Sequence, residues 1–288
     1  MSNDLQIILT ASLVSISCSL LGCFLVLRRM AMVGDAISHA VLPGIVVAFL
    51  ITGSRNSTAM LIGSVVIGLI TTFFIEFFHR KARLQSDAAI GVTFTWLFAI
   101  GVILISAFAG KVDLDQDCVL YGEIAYVPLD LVFDEHGNVI GPKALLVSGV
   151  IVLFVITFIA INYRKLFLTT FDPAFAAAIG ISTAWWHYLL MGAVSVTTVA
   201  SFESVGAILV VALMVAPAAT AYLLTDDFKF MLIWSSVIGT LASVLGYYLA
   251  VYLDGSIAGA IASVCGLLFL LATLFSPRYG LVLKKQAG

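Results

Sequence analysis

The sequence predicts an all-α, polytopic membrane protein: one bundle of about nine transmembrane helices, N-terminus outside and C-terminus in the cytoplasm. Three observations carry this. First, 62% of the 288 residues are hydrophobic and only 10% charged, against about 45–50% and about 25% in a soluble domain. Second, apolar runs recur at the ~20 residues a helix needs to cross a bilayer. Third, the basic residues gather between alternate runs, as the positive-inside rule requires.

The spans read as roughly 5–27, 36–53, 59–78, 88–109, 144–162, 184–201, 205–224, 231–253 and 256–276. Arg28-Arg29, Arg80-Lys81-Arg83, Arg164-Lys165, Lys229, Arg278 and Lys284-Lys285 then share the cytoplasmic face, leaving only Arg55, Lys111 and Lys143 outside. The first run is preceded by Met1-Ser2-Asn3-Asp4, not by basic residues, and no A-x-A-like site follows it. It reads as a retained span and not a cleaved signal peptide. Around Ser201–Ser204 a short turn or re-entrant segment would reduce nine spans to eight.

The whole of 1–288 reads as one transmembrane domain with two long connections. Residues 110–142 carry seven acids and belong outside. Within them Asp134-Glu135-His136-Gly137-Asn138 reads as a turn. The acidity suits a solvated surface, a docking face for an external partner or a weak attractor of cations. The second connection, 163–182, is cytoplasmic and apolar, yet too broken to span. Asp172 or Thr170 can cap a short helix there, Pro173 suits its first turn and Gly180 can end it. Such a helix leaves Phe171, Phe175 and Ile179 as an apolar face for membrane lipid or a protein partner, and its few basic residues favour protein.

The chemistry concentrates in Gly34-Asp35-Ala36-Ile37-Ser38-His39-Ala40-Val41-Leu42-Pro43-Gly44. Asp35 and His39 are four residues apart on a helix, hence on one face, and ionisable groups at membrane depth suggest a transport or relay site. Pro43-Gly44 breaks the helix just beyond them. A carboxylate with an imidazole suits a borderline cation such as manganese, iron or zinc better than calcium or magnesium. The same spacing also suits an interhelical hydrogen-bonded pair that only fixes packing. Glu203 is either a wet loop carboxylate or, if its segment dips inward, a lining group of the outer vestibule. Glu76 reads as an interfacial ion-pair partner beside His79-Arg80-Lys81. His79, His136 and His187 read as interface or loop residues, not ligands. The small residues of Val205–Thr220, and the row Gly255, Gly259 and Ser263, read as helix packing, with a subunit interface as the alternative.

Several classes are excluded. There is no basic stripe for nucleic acid and no phosphate-binding G-x-x-x-x-G-K-[ST] loop, so ATP hydrolysis would fall to a partner. Neither G-x-S-x-G nor H-E-x-x-H occurs, which argues against an intramembrane hydrolase. The four cysteines form no disulfide framework or metal knuckle.

Three stretches, Arg28 to Gly44, Thr169-Thr170-Phe171-Asp172-Pro173 within Leu166 to Gly180, and Ser201 to Asp227, resemble the permeases of the bacterial ABC metal-importer family, in order and spacing over essentially the whole chain. That resemblance implies the fold shared with cobalamin and siderophore importers and a homodimer in the bacterial plasma membrane. It further implies two cytoplasmic ATP-binding subunits and an external metal-binding protein. It identifies Asp35 and His39 with the family's metal residues. Phe171, Asp172, Pro173, Phe175, Ile179 and Gly180 fall in the segment that meets the ATPase. The cargo would be a divalent metal, manganese first and zinc or iron next, with no permanently bound cofactor. The rival readings are a proton-coupled secondary carrier and a non-transporting membrane scaffold.

Overall fold

Helix α1 runs over Asn3–Leu27, followed by α2 (Val33–Ala40), α3 (Leu42–Thr52), α4 (Ser57–Arg80) and α5 (Ser86–Leu104). After a two-stranded hairpin come α6 (Lys143–Phe171), α7 (Pro173–Ala178), α8 (Thr183–Val205), α9 (Ala207–Leu224), α10 (Phe228–Leu253) and α11 (Ile257–Phe275). The computed structural model describes residues 2–52, 57–109, 124–133 and 139–276. Most of the acidic connection, including Asp113, Asp115, Asp117, Glu123 and the turn 134–138, lies outside the described residues. The strands flanking that turn, Leu131–Phe133 and Val139–Pro142, pair antiparallel, with Val132 opposite Gly141.

Eight helices among the described residues are long and apolar enough to cross a membrane, α2 and α3 together forming one of them. The remaining expected span, 184–201, is α8, 23 residues in one continuous helix. No turn interrupts α8 at Ser201–Ser204. The break comes at Gly206, whose φ of 82° is open to glycine at no steric cost, and α9 begins at the next residue.

The chain forms two compact units, the first comprising 1–27, 118–158 and 201–288. In it α1 packs on α9 and α10, and α11 packs on both of these. A methyl on Gly22 would collide with the backbone carbonyl of Met214, so α1 and α9 touch backbone to side-chain-free backbone. The small-residue run of α9 is thus packing within the chain. The row Gly255, Gly259 and Ser263 is different: it is exposed, and a methyl on Gly255 or Gly259 meets no other helix. Among the described residues it takes no part in close helix packing. Asp227 and Ser256 cap α10 and α11, accepting from Lys229 N and Gly259 N at 2.9 and 3.3 Å.

The second unit comprises 28–117 and 159–200. Here α2 and α3 lie against α4 and α5, which also pack on each other. The Pro43 ring nests on Gly101, where a methyl would approach its Cδ to 2.9 Å.

Candidate metal site and coupling segment

Helix α2 is eight residues long and buries Val33, Gly34, Ala36, Ile37, Ser38 and Ala40. The face left over carries Asp35 and His39, 30% and 34% exposed. Asp35 stands in the first turn and His39 in the last, so each complements the partial charge of its helix end. His39 Nε2 lies 3.5 Å from Asp35 Oδ1. The imidazole is steadied by Phe94 and Phe98 of α5, with ring centroids at 5.9 and 6.2 Å.

The break above the pair has a definite cause. Pro43 has no N–H to give the carbonyl of His39 four residues back, and its ring crowds that carbonyl. The helix therefore yields at Val41 and resumes as α3, with Gly44 N donating to Val41 O at 2.9 Å. The expected break at Pro43-Gly44 thus falls two residues earlier, between Ala40 and Leu42.

Two ligands about 2.1 Å from one ion and 3.5 Å apart subtend an angle of about 113° at it, close to tetrahedral. The pair can accordingly chelate a cation with little movement. Among the described residues no cluster of three or more His, Cys, Asp or Glu that could hold a metal ion exists, so Asp35 and His39 are the two candidate ligands the described residues bring together here. Glu203 lies on α8, but its side chain falls outside the described residues, as does His136. His79 is exposed, with Nδ1 2.9 Å from Leu84 O.

The segment 163–182 departs from expectation at its start. Residues 163–171 are not a connection. They continue α6, which reaches Phe171 and is 29 residues long, about 43 Å against a ~30 Å hydrocarbon core. Nothing in 163–171 breaks a helix; Pro173 does, by expelling the residue before it from the α region. Asp172 accordingly has φ −140° and ψ 79°, and its side chain accepts from Phe175 N at 2.9 Å. The six-residue α7 then ends before Gly180, whose φ is 82°. Phe171, Phe175 and Ile179 are 50–52% exposed.

A buried polar cluster at the root of this segment escaped the sequence reading. Arg28 donates from Nε to Thr170 Oγ1 at 3.1 Å, from Nη2 to Thr169 Oγ1 at 3.1 Å, and from Nη1 to His187 Nδ1 at 3.3 Å. His187 Nε2 in turn lies 3.0 Å from Glu76 Oε2. His187 and Glu76 are 8% and 3% exposed. Glu76 is thus an ion-pair partner, buried and paired across helices, and His187 is buried beside it. Burial pulls the Arg28 guanidinium down to about 10, against the opposing effect of Glu76; it is still charged at neutral pH. A carboxylate inside the apolar run 59–78 is costly in lipid, and that cost was the available signal.

Comparisons with known proteins bear on the whole chain. The model of the ABC 3 transport family matches residues 3–276. The "Manganese transport system membrane protein MntD" of Bacillus subtilis (strain 168) is 50% identical over 285 residues, 99% of this chain and 96% of that protein. The "Zinc transport system membrane protein TroD" of Treponema pallidum (strain Nichols) is 42% identical, with 96% and 75% covered. Among solved structures, PsaBC from Streptococcus pneumoniae in complex with Fab superposes with a TM-score of 0.79 at 31% identity, covering 99% of this chain and 96% of that one. A match along nearly the entire length, joined to eight apolar helices and a broken span bearing an Asp–His pair, leaves one assignment: this multi-pass membrane protein belongs to the ABC 3 transport family.

Proposed function

We propose that this chain is the permease subunit of an ATP-driven importer that brings a divalent transition metal into the cytoplasm. Manganese is the preferred cargo, zinc and iron the next. One observation carries the reading: a carboxylate and an imidazole 3.5 Å apart in an otherwise apolar span that breaks directly above them. The carboxylate offsets part of the cation's charge, and the imidazole nitrogen favours a borderline metal over calcium or magnesium. Two ligands hold the ion loosely, as a transit site must. In a homodimer the partner copy brings a second Asp35 and His39, which can complete the shell; Glu203 is a lesser candidate.

Segment 110–142 faces outside and receives the metal from an external binding protein. Two cytoplasmic ATP-binding subunits bear on the segment 163–182, through Phe171, Phe175 and Ile179 and the frame set by Asp172, Pro173 and Gly180. The relatives' names support the cargo: manganese for the Bacillus protein and zinc for the Treponema one. The exposed apolar α7 supports the ATPase partner, since a proton-coupled carrier would leave it without a role. Uptake into proteoliposomes holding the permease and its ATPase, compared for manganese, zinc and iron, tests the reading. ATP-dependent uptake preferring manganese is the expected result. Uptake driven by a proton gradient without ATP would overturn it.

A further inference from the structure

A helix of six residues does not hold its own direction in water. Whatever α7 transmits must pass through its two flanks, and the structure ties both at one point. Thr169 and Thr170, on the last turn of α6, lead into α7; His187, on the first turns of α8, follows it. Arg28 grips all three. Lys165 Nζ on α6 adds a second tie, 5.0 Å from the ring centroid of Trp186 on α8. Segment 171–186, which carries α7, is thus a loop closed at its base.

The hydrogen-bond roles in the cluster are determined by elimination. Thr169 Oγ1 donates to Lys165 O at 2.9 Å and Thr170 Oγ1 to Leu166 O at 2.7 Å. Each hydroxyl has one proton, so only lone pairs are left for Arg28. A guanidinium, all donors in a planar fork, meets that need at two oxygens and one nitrogen together; a lysine ammonium cannot match its spread. Because Arg28 has only protons to offer, His187 Nδ1 must be the lone-pair nitrogen. The ring proton is then on Nε2, facing the Glu76 carboxylate. Arg28 donates to His187, and His187 Nε2 stands in ion-pair contact with Glu76 at 3.0 Å, so the connection runs from the α7 loop to α4. Helix α4 packs on α2, the bearer of Asp35 and His39, and all these residues lie in the same compact unit.

We infer that Arg28, His187 and Glu76 are positioning residues that mount the α7 loop on α4, so that load applied to α7 reaches the helices around Asp35 and His39. The inference rests on the proposed ATP-driven import and deepens it. Without the mount, α7 still presents its apolar face, yet its displacement is absorbed at the loop base.

The test compares metal moved with ATP spent. Manganese accumulation is measured in cells carrying the complete transporter, and ATP hydrolysis and subunit content in the purified complex. Arg28→Gln is expected to hydrolyse ATP within about twofold of the unaltered complex while manganese moved per ATP falls at least tenfold. His187→Gln, which can accept at one end and donate at the other, should keep most of the coupling; His187→Leu should lose it. An unchanged ratio in assembled Arg28→Gln and His187→Leu complexes overturns the inference. So does loss of assembled complex in all three variants, which assigns the cluster to folding. Absence of ATP-driven uptake in the unaltered complex would instead overturn the proposed function, so the two failures are distinguishable.

Discussion

Gly44 and Gly63 face each other across the contact between α3 and α4, each against the other's backbone. A methyl on Gly63 would lie 2.5 Å from the Gly44 carbonyl oxygen, and one on Gly44 2.8 Å from the Gly63 carbonyl carbon. Backbone, unlike a side chain, cannot rotate away. Gly63→Ala should therefore cost about 1–3 kcal/mol by overpacking, seen as a lower unfolding temperature of the purified complex. Gly149→Ala, where a methyl meets nothing within 4 Å, should leave that temperature in place. Equal effects at the two positions would contradict the close approach.

The Asp35–His39 pair predicts a loss of transport without a loss of assembly. Asp35→Ala and His39→Ala should each lower manganese uptake about tenfold or more, the loss already typical of disturbing a group that merely supports a metal ligand. Subunit content on purification should not change, since both side chains lie on the less buried face of α2. Uptake at the unaltered level would remove the pair from the pathway.

The apolar face shared by Phe171, at the end of α6, and Phe175, on α7, predicts partner binding. Phe171→Asp and Phe175→Asp each place a carboxylate where the ATPase would bury an aromatic ring. Loss of an anchor of this kind costs about 2 kcal/mol or more, roughly thirtyfold in affinity, and should abolish co-purification with the ATPase. Retained co-purification would show that another surface does the docking.

The cap of α7 allows a graded test. Asp172→Ala removes the acceptor of Phe175 N and should weaken α7 by about 1 kcal/mol. Asp172→Asn or Asp172→Ser, able to cap in the same way, should restore most of the ATPase affinity measured by titration. If alanine and asparagine behave alike, capping is not what holds this turn.

The membrane fold was legible because lipid imposes one simple condition. Long apolar runs must be helices there, since each satisfies its own backbone polar groups, and so α1, α4, α5, α6, α9, α10 and α11 follow from composition alone. The local devices were legible for the same kind of reason. Asp172 before Pro173, Gly180 after α7 and Asp35 one turn from His39 all act through bonds or sterics within five residues of chain. The end of α6 lies later than the ~20-residue length of a membrane span suggests, because no residue of 163–171 breaks a helix and Pro173 is the first that does.

By itself, then, the sequence determined a many-span membrane helix bundle, the Asp–His pair on one helix face and the capped apolar helix α7. Only the tertiary structure decided that Glu76 and His187 are partners, that Arg28 spans both flanks of α7, and that the Gly255–Gly259–Ser263 row packs on no other helix among the described residues. The physical reason is separation along the chain. Contacts four residues apart are dictated by helical geometry, whereas Arg28, Glu76, Thr169 and His187 share no period and meet only when four separate helix ends converge. Buried charge in lipid signals that a partner must exist; which residue it is depends on the packing.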